Sequence, residues 1–388
     1  MKRFNNSLFN ILYHRFILLA ILFIFFLKLY AQPENPCPAG NLSEYPGAWK
    51  PFSGYQTVAQ FKAKAGSYDK TAADATLEKM LALARQAYPQ PKGGNALYTK
   101  YLDFSNAYDY MPFGYRLHIG HPGFVCTVGD KITETVETGV YLVFHVNSYQ
   151  SIVYSVSAPE VPGTNRRLGV MKGSESDYSI NGRRVFHIHE HFVGSNGWMD
   201  HYTEKIYAGE EPRQQWFIIR KENVPLFSYV TRREYLTQFR EEIKIYSEEH
   251  IRHVNEEYRK YPEFFKQEFE WLGEFKERAE NAIRLVDNYL MNEGEEELQK
   301  PVSELLNHGY FIYTDEPEIK FREDRFHLVY YNDEYLDEKL PHHIPQFIVV
   351  ELSGPAYDKT GRDAWKYNFR KKMMEGLDFD AMHKILLR

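Results

Sequence analysis

The sequence predicts an α+β fold: an antiparallel β-rich region, a long α-helical hairpin and a C-terminal mixed α/β segment. Three observations predict it. Between residues 97 and 222, short runs of β-branched and aromatic residues follow one another with only Gly, Pro, Asn and Asp between them, which favours antiparallel pairing over βαβ units. From 231 to 292, apolar residues recur every three and four positions along two long stretches, the period of an amphipathic helix. After residue 298 the two patterns mix. The chain has 388 residues, enough for two or three domains or one large one with appendages.

The N-terminus reads as a signal peptide over residues 1–31. Lys2, Arg3 and Arg15 precede the apolar run at 16–27, which is shorter than the roughly 20 residues needed to cross a bilayer. Small Ala31 follows, so cleavage is expected after it, with Leu29 at the −3 position. An uncleaved anchor is the alternative. Cys37 follows Pro36 and does not fit a lipoprotein site. The expected location is outside the cytoplasm: periplasmic, cell-surface or secreted. Contact with a membrane is expected only through the N-terminal signal, if it stays uncleaved.

Residues 32–96 hold a Pro- and Gly-rich irregular segment and one helix. Leu77, Met80, Leu81 and Ala84 fall on one helical face; Asp69 or Thr71 can cap its start, and Pro89 with Pro91 stops it. Cys37 and Cys126 are the only cysteines. In an oxidising compartment they can pair, closing a loop of about 90 residues worth on the order of 4 kcal/mol, or remain two free thiols. Over 97–230 the runs "YRLHIG", "GVYLVFHVN", "QSIVYSVS", "RRVFHIHEHFVG" and "QQWFIIRK" read as strands of a sheet or sandwich, with turns at 179–182 and 194–197.

Residues 231–297 read as the helical hairpin. Thr231 with Glu234 has the spacing of a capping box. Tyr261-Pro262 breaks the helix, because the residue before proline is pushed out of α geometry. Each arm spans about 40 Å at 1.5 Å per residue. Phe239, Ile243, Phe269 and Leu272 are expected to be buried, against one another or the body. In the segment 298–388, "HGYFIYT", "RFHLVYY" and "PQFIVVEL" read as strands and the last 25 residues or so as one or two helices.

The segment "VPLFSYVTRREYL" (224–236), with its P-x-F-x-x-V-T-R-x-E-Y-L pattern, resembles one found in exported bacterial proteins that have no assigned function. There too an apolar strand like "WFIIRK" precedes it. The "IPQFIVV" strand at 344–350 is similar as well. The resemblance covers about a tenth of the chain. It implies an exported α+β architecture and carries over no catalytic residue.

Two groups of residues are candidates for chemistry. His187, His189 and His191 alternate on one strand and would share a face, opposite Phe186, Ile188 and Phe192. Such H-x-H spacing suits zinc, but alternate positions lie about 7 Å apart, so a site needs ligands from elsewhere: His201, Glu204, His118 or His121. The plainer reading is one polar face of an antiparallel strand. Second, Arg232 and Arg233 open a helix, and Arg220 and Lys221 lie just before. Together they are candidates for holding an anion, against pairing with Glu234, Glu241 and Glu242 or packing on aromatics. Carboxylates such as Asp109, Asp130, Asp177 and Asp200 are available for glycoside chemistry, but no cleft is legible.

The net charge of −6 argues against nucleic acid, whose phosphates need a basic face. Walker A, dinucleotide, G-x-S-x-G, H-E-x-x-H and EF-hand signatures are absent from the sequence. With 16% aromatic residues, 30 of them Tyr, the expected function is a non-catalytic binding or assembly module for a protein or glycan ligand, without a cofactor. The alternative is a metal-dependent hydrolase built on the His187/His189/His191 strand, with zinc as its cofactor.

Overall fold

The computed structural model describes residues 37, 42–52, 68–104, 114–127, 131–135, 139–149, 151–156, 178–188, 190–204, 212–303, 318–321, 326–332, 335–337, 339–355 and 364–386. The segment 1–31 and the strand expected at 308–314 lie outside them.

The fold is α+β in four layers. An eight-stranded sheet is built from β1 (Trp49–Pro51), β2 (Ala96–Phe104), β3 (Gly114–Gly120), β6 (Tyr141–Val146), β15 (Ile348–Ser353), β12 (Gln214–Ile219), β11 (Met199–Glu204) and β10 (Glu190–Ser195), in that spatial order. All neighbours are antiparallel except β1 and β2. A second sheet has the order β13 (Phe227–Tyr229), β14 (His327–Tyr331), β9 (Arg183–Ile188), β7 (Val153–Ser155), with β8 (Ser179–Ile180) paired to β9. β4 (Phe124–Thr127) and β5 (Lys131–Glu134) form a hairpin of their own. The segment 298–388 completes both sheets, since β14 lies between β13 and β9 and β15 between β6 and β12.

Side-chain alternation assigns the layers. Leu117, Ile119, Leu142, Phe144, Ile348, Val350 and Leu352 of the large sheet face α1 (Lys70–Ala87) and α5 (Ala364–Gly376), packing with Leu77, Met80, Phe369 and Met373. Asp69 caps α1 by accepting from the Thr71 and Ala72 amides. Tyr202, Trp216, Ile218 and Val349 turn the other way and meet Val153, Phe186, Ile188 and Val329 of the second sheet. The outer face of that sheet, with Ile180, Val185, Leu328 and Tyr330, is covered by the helical hairpin. A short helix α6 (Phe379–His383) follows α5. Asn181 and Gly182, at φ of 52° and 74°, make the tight β8–β9 turn, the positive-φ pair that hairpins of this length require. A disulfide joins Cys37 to Cys126 on β4, with the Cα atoms 5.9 Å apart.

The hairpin consists of α2 (Arg232–Lys260) and α3 (Pro262–Asn292), broken at Tyr261-Pro262. Both halves of the Thr231/Glu234 capping box form. Phe239 and Ile243 are buried with Phe275, Ala279, Ala282 and Val286. Phe269 and Leu272 correct the expectation: Leu272 is half-buried, and Phe269 is 37% exposed. The stripe that meets the body runs through 275, 279, 282 and 286. Phe269 lies nearer the tip, and its ring stacks on Tyr258, 4.0 Å away.

Phe275→Ala is therefore expected to destabilise the fold by about 3–5 kcal/mol, and Phe269→Ala by less than about 1 kcal/mol. Chemical denaturation of the two variants checks this; equal losses would place both rings in one core.

Candidate functional site

The histidine strand does not exist as a single face. Ile188 ends β9 in the second sheet, and Glu190 begins β10 in the large sheet. His187 is half-buried near Phe326. His191 is exposed opposite Thr203. His189 lies outside the described residues. Phe186 and Ile188 are buried as the alternation requires, but Phe192 is exposed and leans on Tyr202. The chain turns from one layer of the sandwich to the other here, and a register irregularity follows between Phe192 and Gly194. A two-residue period cannot register such a change of sheet.

The other histidines named with that strand have separate settings. His201 stacks on Phe217 at 4.4 Å and bonds Gln215 at 3.1 Å through Nε2; burial lowers its pKa. His121 is fully buried against Phe369, its ring nitrogens 3.1 and 3.2 Å from the carbonyls of Asn95 and Lys92. Glu204 accepts from the Arg213 amide. Among the described residues, no three His, Cys, Asp or Glu side chains come together as a metal-holding group.

Each of the four candidate anion ligands has a protein partner. Buried Arg220 grips Asp200 with two bonds of 2.6 and 2.8 Å, and also donates to the carbonyls of Gly197, Lys221 and Val224. Lys221 donates through Nζ to the Tyr335 carbonyl at 2.6 Å and lies over that ring. Arg232 pairs with Glu297 and covers the Phe321 ring; Arg233 pairs with Glu295. These carboxylates belong to α4 (Glu295–Leu298), directly after the hairpin. The arginines thus tie the start of α2 to the segment that follows α3.

Polar groups do gather elsewhere. They lie on the inner face of the large sheet, outside the apolar cluster that the two sheets share. Arg116 and His118 on β3, Tyr141 and His145 on β6, Glu351 on β15 and Gln214 on β12 all fall on this face. Arg116 lies directly opposite His145, and Val143 lies between His118 and Glu351. Glu351 accepts from the Tyr141 hydroxyl at 3.0 Å and contacts His145 Nε2 at 3.2 Å. Gln214 donates to the Tyr141 oxygen at 3.0 Å. His118 stacks on Tyr141 at 5.7 Å, and Arg116 lies 4.5 Å over Tyr101. Burial pushes His118 down to about 4, with the Arg116 charge adding to the effect. Burial, then Glu351, raises Tyr141. His145 Nδ1 is buried with no hydrogen-bond partner among the described residues. None of these residues was singled out as a group by sequence reasoning, although His118 was named as an isolated ligand. The signal was there in parity: "RLHI", "YLVFHV" and "VVELS" each set polar side chains against an apolar opposite face.

A second surface stands at the hairpin tip. Phe264 is 81% and Tyr261 53% exposed. Phe269 and Tyr258 stack beside them, and His253 meets Phe265 edge-on. The core shared with the body reaches only as far as Ile251 and Trp271. Among the described residues, no helix is long and apolar enough to cross a membrane.

No family model, curated protein or solved structure matches this chain.

His118 gives a pH prediction. Its folded pKa of about 4 lies below the ordinary 6.5, so the folded state binds fewer protons at this site than the unfolded chain does. Its contribution is complete above pH 6.5 or so and is lost as pH falls toward 4. His118→Gln is expected to flatten the stability curve in that window, measured by denaturation at stepped pH. An unchanged slope would mean that the imidazole takes up its proton alike in the folded and unfolded states.

Proposed function

We propose that the protein is a non-catalytic binding or assembly module that works outside the cytoplasm and meets a partner protein through the tip of its helical hairpin. The observation that carries this reading is the exposure of Phe264 and Tyr261, at the end of two helices of 29 and 31 residues. Arms of that length hold the tip roughly 45 Å from the hairpin's base. Apolar rings grouped on a surface and rimmed by charge mark an interaction site. Here the rim is mixed: Lys260 pairs with Glu257, Lys266 with Glu270 and Arg252 with Glu256. The tip therefore offers no single-sign field, which suits a protein surface better than a phosphate-rich one. The basic, apolar and small-residue order of the first 31 residues supports the location.

A photo-crosslinking phenylalanine analogue at position 264, in the native host, tests the reading. A discrete adduct is expected at 264, absent when the analogue stands at exposed Glu277, and lost when Tyr261→Asp is added. Because Tyr261 lies outside the core, that substitution should change stability by only about 0.5 kcal/mol. Equal yields at 264 and 277, or no adduct at either, would reject the tip as the contact.

A further inference from the structure

We propose that His250 makes the outer part of the hairpin sensitive to pH: when its ring takes up a proton from solvent, the two arms part beyond it and the tip surface is lost.

The outer hairpin depends on its own contacts. The core shared with the body ends at Ile251 on α2 and Trp271 on α3. About ten residues of each arm lie beyond, roughly 15 Å of helix. There the arms hold one another: Val254 is buried, Tyr258 stacks on Phe269, and His253 meets Phe265 edge-on. A segment held by so few apolar contacts can open while the body stays folded.

His250 stands at the boundary. Its ring lies 4.5 Å from that of fully buried Phe275 on α3, and 6.2 Å from that of Tyr246, to which it is nearly parallel. The imidazole thus fills the join between the arms. Its Nδ1 is buried with no hydrogen-bond partner among the described residues. An imidazolium carries a proton on both ring nitrogens, so protonation places a charged donor in the join with no acceptor to meet it, which opposes packing.

The surrounding charges do not relieve it. The titratable groups one turn away on α2 are Tyr246 and His253, and one turn from Phe275 on α3 is Arg278. A protonated His253 and Arg278 are both cations. Glu274, beside Phe275 in sequence, is held by Arg278 at 2.6 Å. Buried Glu249 adjoins His250 in sequence but lies about 100° around the helix. Burial, then the charge of His253, holds the His250 pKa below the ordinary 6.5. The folded state therefore binds fewer protons here than the unfolded chain, so this contribution is complete above pH 6.5 or so and is lost as pH falls. That the lost surface matters to a partner rests on the proposed function; the opening itself is measured without one, so the two fail separately.

Hydrogen exchange of the full chain at about pH 7.5 and about pH 5.5, corrected for the intrinsic effect of pH on exchange, tests the proposal. Amides of 252–259 and 264–271 are expected to lose protection by about tenfold or more at the lower pH. His250→Phe keeps a ring in the join and removes the proton site, so it should retain that protection. If His250→Phe does not fold, the ring-proton shifts of His250 in the unaltered protein provide the readout: they should titrate below 6.5, with the same midpoint as the loss of protection. Unchanged protection of the outer arms, an equal loss in His250→Phe, or two different midpoints would overturn the proposal.

Discussion

Asn147 fixes the register on which the layers depend. It ends β6 in the left-handed region, at φ of 55°. Its own amide donates to the Phe347 carbonyl. Its side-chain oxygen accepts from the Gln346 and Phe347 amides at 2.7 and 3.3 Å, and its Nδ2 donates to the Ile344 and His342 carbonyls at 2.8 and 3.3 Å. Tyr115 donates to the His343 carbonyl nearby. The chain entering β15 is thereby held against the end of β6, and Val146 must pair with Ile348. A slip of one residue would turn every side chain of β15 over. Glu351 would then point into the apolar layer under α1 and α5, and Val350 would replace it among Tyr141 and His145.

Closing the sheet this way brings together residues some 200 positions apart in sequence. The return lies in what β15 joins. It unites β3 and β6 with β12, β11 and β10, giving one continuous surface for both the helix layer and the second sheet. It also sets Glu351 beside β6. Arg220 has a comparable role at the sheet's other side, where its bonds to Asp200 and to three carbonyls fasten the exit of β12 to the β10–β11 turn. A guanidinium so fully engaged is structural, as are Arg232 and Arg233, which brace the hairpin's base.

Local features were legible in the sequence. The Thr231/Glu234 cap, the break at Tyr261-Pro262, the Asp69 cap and the Asn181-Gly182 turn all depend on residues within four positions of one another. So does the α+β class. What depends on distant partners was not legible. The run from Arg183 to Gly194 reads as one strand, yet it serves two sheets, because alternation reports which face is apolar and not which sheet supplies the cover. Phe269 follows the helical period as well as Phe275 does, but it lies nearer the tip, outside the cluster that packs with the body. Glu295 and Glu297, the partners of Arg233 and Arg232, lie more than 60 positions away. The polar inner face needed four strands, β3, β6, β15 and β12, to be placed side by side, although the first three each carried the parity that marks it.

Native-state hydrogen exchange of Val349 to Leu352 tests the central role of β15 most directly. If β15 is the closing strand of the large sheet, its amides exchange only through global unfolding. In Asn147→Ala they should open at lower free energy than the amides of α1. Exchange of the β15 amides in the unaltered protein through an opening well below the global unfolding free energy, with β6 and β12 still protected, would contradict the account.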